Sequence, residues 1–360
     1  MRFAAPAVIV MAGALAYLGP PADMGMTNSP DAARPAHHTD SGFTNPWAGE
    51  QPTARFRDVL KFMWEHPMGR PRYKTSVGTI PVTEPNWAAI ESPGDSMVIT
   101  WLGHATFLIQ IGGKNILTDP NLSERASPVS WAGPRRVTRP GMTVDQLPRI
   151  DAVLISHNHY DHLDARTVQQ IGPGPTWYVP LGMQRWFSRR GVSRVVELDW
   201  WQADTTLGNV KILATPSKHF SSRTMLDRDK TLWLSWLIEH EGRKIYFAGD
   251  TGYGPHFKEI GTAEGPIDVA LLPIGAYAPR WFMSPVHVDP AEAIQAQIDL
   301  RAQRSVAMHW GTFLLSNEPL LEPPQRFRQH ANAAGLDENQ AVVLRHGETL
   351  IVPRKPVLAP

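Results

Sequence analysis

The chain of 360 residues is 42% hydrophobic and 19% charged, with 28 Gly and 33 Pro, the composition of a turn-rich globular protein and not of a disordered, coiled-coil or collagen-like chain. Its 35 Lys and Arg against 34 Asp and Glu leave a formal net charge of +1, so the overall basic footprint of a nucleic-acid binder is absent and no nucleic-acid partner is expected. There is no cysteine, which excludes disulfide frameworks, thiolate zinc sites, iron–sulfur clusters and cysteine nucleophiles; any metal must be held by imidazole and carboxylate, and 14 His are available.

At the N-terminus, Met1 and Arg2 precede an uncharged stretch from Phe3 to Leu18 that carries a small-residue run at Ala12-Gly13-Ala14. It falls short of the roughly 20 apolar residues of a membrane span, so residues 1–18 read as an export signal or anchor, and an exported, periplasmic or peripherally membrane-associated protein is expected. Residues 19–42 are polar, Pro-rich and aperiodic and read as a linker, with the folded domain expected over 43–360. From Thr53 to Glu65, Phe56, Val59, Leu60, Met63 and Trp64 share one face while Arg55, Arg57, Asp58, Lys61 and Glu65 lie elsewhere, and Pro67 ends the pattern. This is an amphipathic helix, fit to rest on the core or to lie on an anionic membrane surface; Phe43, Trp47 and Trp64 nearby suit the interface of a membrane.

Beyond Ser96 come short apolar runs bounded by Gly, Pro, Asn or Asp: Met97–Trp101, Thr106–Ile111, Asn115–Thr118, Ala152–Ile155, Val210–Ala214, Leu232–Ile238, Lys244–Ala248, Val269–Leu272 and Ser305–Met308. They predict buried strands, with helices over Asp164–Ile171 and Pro290–Asp299, hence one layered α/β domain without a solenoid repeat. Trp200, Trp201, Trp233 and Trp236 lie in or beside such runs and are expected in the core.

The segment Ile155-Ser156-His157-Asn158-His159-Tyr160-Asp161-His162-Leu163-Asp164 delivers three imidazoles and a carboxylate just after an apolar strand and just before a helix. Packing gives no reason for such density, whereas imidazole and carboxylate suit zinc and other first-row divalent ions. His219, Asp250 and His309 each follow an apolar run in the same way, the edge at which an α/β sheet carries its site. Together they are seven candidate ligands, enough for two metals.

His157-x-His159-x-Asp161-His162 with His219, Asp250 and His309 resembles the metallo-β-lactamase superfamily. Trp101-Leu102-Gly103-His104-Ala105-Thr106, Leu117-Thr118-Asp119-Pro120, Leu198-Asp199-Trp200-Trp201, Phe247-Ala248-Gly249-Asp250-Thr251-Gly252-Tyr253, Pro279-Arg280-Trp281-Phe282-Met283 and His309-Trp310-Gly311-Thr312-Phe313 resemble the N-acylphosphatidylethanolamine-hydrolysing phospholipase D family. The resemblance implies a four-layer αββα sandwich, two zinc ions and a homodimer. It places His157, His159 and His219 on one zinc, Asp161, His162 and His309 on the other, and Asp250 between them; Asp119 would hold a ligand imidazole in one tautomer. His287, preceded here by Val286, would contact the substrate phosphate.

The expected reaction is hydrolysis of N-acylphosphatidylethanolamine, a phospholipid met at a membrane surface, to N-acylethanolamine and phosphatidic acid. Water activated by two zinc ions would be the nucleophile, with Asp161 and Asp250 as the catalytic carboxylates that orient it. No Ser stands in a G-x-S-x-G context, so a covalent intermediate has no obvious carrier. The alternatives are a metallohydrolase of the same fold acting on a lactone or another phosphodiester, and a zinc-stabilised lipid-binding protein without turnover.

Overall fold

The computed structural model describes residues 34–47, 61, 80–224 and 226–354. The expected export segment lies outside these residues, and of the helix expected over Thr53–Glu65 Lys61 alone is described. Among the described residues no helix is long and apolar enough to cross a membrane.

The chain enters through a small hairpin of β1 (His38–Thr39) and β2 (Gly42–Phe43). After α1 (Trp87–Glu91) come β3 (Met97–Gly103), β4 (Thr106–Ile111), β5 (Lys114–Thr118) and β6 (Ala152–Leu154). Helix α2 (Ala165–Ile171), β7 (Thr176–Pro180), α3 (Gln184–Ser188) and β8 (Val195–Leu198) complete the first half. The second half runs through β9 (Ala203–Leu207), β10 (Val210–Thr215), β11 (Ser235–His240), β12 (Arg243–Phe247), α4 (His256–Glu264) and β13 (Val269–Pro273). It ends with α5 (Arg280–Met283), α6 (Pro290–Asp299), β14 (Ser305–Met308), α7 (Glu322–Ala333), β15 (Ala341–Val342) and β16 (Thr349–Val352).

Two seven-stranded sheets result, in the orders β16-β3-β4-β5-β6-β7-β8 and β15-β14-β13-β12-β11-β10-β9. Each is antiparallel at its hairpins and parallel where helices intervene: β5 to β8 in one sheet, β12 to β15 in the other. The hairpins are set by turn chemistry. Gly112-Gly113 and Glu241-Gly242, all at positive φ, close the two-residue loops of β4–β5 and β11–β12, as the right-handed twist of the strands requires. Asp164 caps α2 through Arg166 N–H and Thr167 N–H. Asp289 and Glu292 form a capping box around Pro290 at the start of α6.

The first sheet lies between two cores, which is why its strands read as unbroken apolar runs. Met97, Ile99, Trp101, Phe107, Ile109, Ile116, Leu154 and Tyr178 face the second sheet. Their neighbours Val98, Leu102, Leu108, Leu117, Val153, Trp177 and Val179 face the outer layer with Val168 of α2 and Phe187 of α3. On the second sheet α4, α6 and α7 bury Phe257, Ile260, Ala293, Ile294, Phe327 and Ala331. This is the αββα sandwich, with the parallel strands covered on both faces.

Three expectations change. The linker expected through residue 42 is structured from Arg34, because His37 and His38 hydrogen-bond Asp199 and Lys230 Nζ donates to Ser41 O. Phe43 and Trp47 are packed against the main core, Trp47 stacking on Trp200 at 5.4 Å, so neither is a free interfacial aromatic. Trp200, Trp233 and Trp236 are buried, but Trp201 is 44% exposed, since its left-handed φ of 67° turns it outward before β9.

Candidate metal centre

Every predicted ligand stands just beyond the end of a strand. His157 to His162 follow β6, His219 follows β10, Asp250 follows β12 and His309 follows β14 directly. His309 and Asp119 hold left-handed φ of 60° and 32°, conformations that non-glycine residues seldom adopt and that collect at functional sites. The two sheets are tied here, for His309 N–H donates to His104 O at 2.9 Å.

The donor atoms form two groups. In the first, His157 Nε2 lies 2.8 Å from His159 Nδ1, which in turn lies 3.3 Å from His219 Nε2. In the second, His162 Nε2 and His309 Nε2 are 3.2 Å apart, and Asp161 Oδ2 is 3.4 Å from the former and 3.5 Å from the latter. Asp250 stands between the groups, with Oδ2 3.1 Å from His162 Nε2 and 3.9 Å from His219 Nε2. Its Oδ1 is 3.0 Å from His309 Nε2 but makes no aligned hydrogen bond.

The opposite edges of these rings decide what the facing edges can do. His219 Nδ1 lies 2.9 Å from Val286 O and His162 Nδ1 lies 2.7 Å from Asp119 Oδ2. A carbonyl and a carboxylate accept, so each Nδ1 carries a proton and the Nε2 of each ring, once neutral, is the nitrogen left to face a metal. Ser156 Oγ lies between His157 Nδ1, at 2.9 Å, and Asp119 Oδ2, while Ser156 N–H donates to Asp119 Oδ1 at 2.7 Å. One carboxylate thus orients a ring in each group, directly for His162 and through Ser156 for His157. At most one proton can lie between two such nitrogens, and apart from the 2.8 Å between His157 and His159 the separations of 3.2 to 3.5 Å within the groups match the roughly 3.3 Å between donors about 2 Å from one cation. The residues fit two metal ions.

Electrostatics separates the two groups: the first is held neutral, whereas His162 and His309 each hold a proton that a cation between them would displace. Burial draws the His157 imidazole well below its ordinary range and draws His159 and His219 down to about 3, keeping all three neutral ligands. For His162 and His309 burial acts in the same sense, but Asp250 and Asp161 overcome it, holding His162 well above its ordinary range and His309 near 9. Burial would raise Asp161 and Asp250, yet the neighbouring imidazoles hold both well below the usual carboxylate range.

His287 also reaches the centre, its ring centroid 5.2 Å from that of His219 and 5.7 Å from that of His309. Its Nδ1 is buried, without a hydrogen-bond partner among the described residues, 3.9 Å from Asp250 Oδ2. Beside His309 lies a depression lined by Ala276, Phe313, Leu314, Leu315 and Leu320.

Sequence reasoning assigned no role to two residues of the centre. His104, buried after β3, places Nε2 2.9 Å from Asp161 Oδ2; its own strand-end position was the available signal. Ser156 is needed in a space left by Gly249, where a Cβ would come within 2.5 Å of Ser156 Cβ and φ is +59°. No sequence signal marks that contact.

A family model described as the beta-lactamase superfamily domain matches residues 114–310. Over 343 residues, 90% of this chain and 96% of the relative, the sequence is 35% identical to N-acyl-phosphatidylethanolamine-hydrolyzing phospholipase D 1 of Caenorhabditis elegans. Over 247 residues, 66% of this chain and 53% of the relative, it is 38% identical to the mitochondrial N-acyl-phosphatidylethanolamine-hydrolyzing phospholipase D of Saccharomyces cerevisiae. Among solved structures, a metallo hydrolase from the archaeon Ignicoccus hospitalis superposes with a TM-score of 0.56 at 24% identity, covering 72% of this chain and 100% of its own. An isothiocyanate hydrolase from Delia radicum gut bacteria gives a TM-score of 0.58 at 22% identity, covering 71% and 98%. At such identities these two likenesses speak for the fold alone. The near full-length relative, on this fold and with this strand-end centre, settles the kinship: the chain belongs to the metallo-β-lactamase superfamily and, within it, to the N-acylphosphatidylethanolamine-hydrolysing phospholipase D family, and is a metal-dependent hydrolase.

Proposed function

We propose that the protein is a dinuclear zinc phosphodiesterase that hydrolyses N-acylphosphatidylethanolamine to N-acylethanolamine and phosphatidic acid. The observation that carries this reading is the pair of three-residue donor groups facing each other across Asp250. His157, His159 and His219 would hold one ion, Asp161, His162 and His309 the other, and Asp250 would touch both. Two ions at such a site supply a water of lowered pKa and neutralise charge growing on the phosphoryl oxygens.

The chain's own groups do the rest. Asp161 and Asp250 orient the attacking water and accept its hydrogen bonds, Asp161 being steadied by His104 Nε2. The unpartnered His287 Nδ1 is placed to hydrogen-bond a phosphoryl oxygen; burial draws its pKa down to about 3, so the ring is neutral and acts by a hydrogen bond and not by charge. Water adds to phosphorus, the bond from phosphorus to the N-acylethanolamine oxygen breaks, and that oxygen leaves with a proton.

A phospholipid substrate requires approach to a membrane surface. Lys61, in the segment whose sequence is amphipathic, sets its ammonium 4.8 Å from the centre of the Trp281 ring. Trp281 is 45% exposed and adjoins the cluster of Phe282, Met283 and Val286, next to His287. This supports an approach to the bilayer on that side; export to the periplasm and a homodimer belong to the same proposal.

The test is product analysis by mass spectrometry after zinc-loaded protein meets N-acylphosphatidylethanolamine in mixed micelles, with Asp250→Asn beside it. Release of N-acylethanolamine and phosphatidic acid by the wild type alone is the expected result. Intact lipid together with turnover of a lactone or generic phosphodiester would overturn the substrate, and inertness toward all three would favour a lipid-binding protein.

A further inference from the structure

The segment Arg34–Trp47 precedes residues 114–310, which the family model matches, yet it reaches the metal centre. It crosses the second half of the molecule as a strap with two kinds of attachment. At its start, His37 Nε2 and His38 Nε2 lie 2.6 and 2.7 Å from the two oxygens of Asp199, and the His37 ring stacks on Trp200 at 4.1 Å. Each imidazole has its own carboxylate oxygen at hydrogen-bond distance, so the trio ties the start of the strap to Asp199 as a clasp. Further along, Phe43 N–H donates to Asp229 O at 2.8 Å, and Trp47 stacks on Trp200 and His256.

Between these anchors Asn45 grips the backbone of His219. Its Nδ2 donates to His219 O at 2.7 Å and its Oδ1 accepts from His219 N–H at 3.2 Å. A side-chain amide that both donates to and accepts from one residue fixes the position and rotation of that backbone together. The amide is itself held, because Trp233 Nε1 donates to Asn45 Oδ1 at 3.1 Å from a buried ring. His219 has no regular secondary structure to hold it, for it follows the last residue of β10, Thr215, in a loop. Its imidazole is aimed by two contacts: Nδ1 on Val286 O fixes the tautomer, and Asn45 fixes the backbone from which the ring projects.

We propose that Asn45 is a positioning residue of the metal centre: through the strap it holds His219 in ligating geometry, so that the N-terminal segment forms part of the site that takes the ion shared by His157, His159 and His219. The inference rests on the ligand assignment proposed above. It identifies a determinant of metal affinity that lies far from every ligand in sequence.

The experiment measures zinc stoichiometry and affinity by competition with a chromophoric chelator, using the full chain, for wild type, Asn45→Asp, Asn45→Ala, His219→Ala and Lys230→Met. Asn45→Asp keeps shape and acceptor but sets a carboxylate oxygen against His219 O. Lys230→Met removes the exposed bond to Ser41 O at the hairpin tip without touching His219. Outer-shell partners of ligands typically govern 10- to 100-fold in metal affinity; acting one step further out, the Asn45 variants are expected to weaken by about tenfold the same zinc that His219→Ala abolishes. The other zinc and the Lys230→Met protein should stay at wild-type values. Wild-type zinc affinity in both Asn45 variants, alongside a loss in His219→Ala, would overturn the proposal and leave the ligand assignment standing. Retention of both zinc ions by His219→Ala would overturn the assignment itself. An equal loss in Lys230→Met would trace the effect to general docking of the strap and overturn the role of Asn45. Should Asn45→Ala fail to fold, Asn45→Asp alone decides between these results.

Discussion

Asp119 shows how one buried carboxylate can serve two metal positions. It receives His162 Nδ1 directly and His157 Nδ1 through Ser156 Oγ, so it fixes the tautomer of a ring in each donor group. Asp119→Asn is expected to weaken binding at both proposed metal positions 10- to 100-fold, the range typical for such partners. Ser156→Ala should weaken only the ion on the His157 side and add little to Asp119→Asn for that ion, since the two act in series. Chelator competition on the three variants checks this; independent, additive losses would show that the relay is not one unit. The ligands themselves were legible because three imidazoles within six residues have no packing explanation. Ser156 and Asn45 were not, because their partners lie 37 and 174 residues away in the chain, and a hydrogen bond across that separation leaves no local pattern.

Among the elements, strands buried on both faces were the easiest to read. The runs at β3, β4, β5 and β6 are apolar throughout because one sheet serves two cores. By contrast β9 exposes Ala203, Thr205 and Thr206 at a sheet edge, and β15 is two residues long, so neither has a hydrophobic signature. Leu232 to Leu234, expected to open a strand, are buried but lie outside β11; Leu232 N–H and Leu234 N–H bond Leu181 O and Ser156 O instead. Burial alone does not distinguish a strand from a loop crossing the core.

The turn before β16 carries a titratable anchor. His346 sits under Arg139 O at 3.1 Å and Thr312 Oγ1 at 3.2 Å, and burial draws its pKa to about 4. The unfolded chain therefore binds this proton first as pH falls below 6.5. Stability contributed by neutral His346 is complete above that value and is lost as pH falls toward 4, by at most about 1.4 kcal/mol per pH unit. His346→Gln should be destabilised near pH 7.5, with its deficit relative to the wild type shrinking as pH approaches 4. Urea midpoints of both proteins across that range provide the check, and a deficit independent of pH would contradict a neutral buried imidazole.

For the whole molecule, the seven candidate ligands come from the strand ends of both sheets, so bound metal and the folded sandwich stabilise each other. A ligand present at about 100 times its Kd adds about 2.7 kcal/mol, which for a chain of this size corresponds to a shift of about 4 °C in Tm. Chelation should lower Tm by at least that much and zinc should restore it; an unchanged Tm would mean that the centre does not bind metal in the folded protein. The strap enlarges the unit that makes the site, since residues that read as linker carry the clasp on Asp199 and the grip on His219.

The central claim is that this centre directs water at phosphorus. Hydrolysis of N-acylphosphatidylethanolamine in water enriched in the heavy oxygen isotope tests it most directly, with each product weighed by mass spectrometry. The account predicts label in the phosphate of phosphatidic acid and none in N-acylethanolamine. Label in the ethanolamine hydroxyl, or in a released fatty acid, would place the attack at carbon and contradict it.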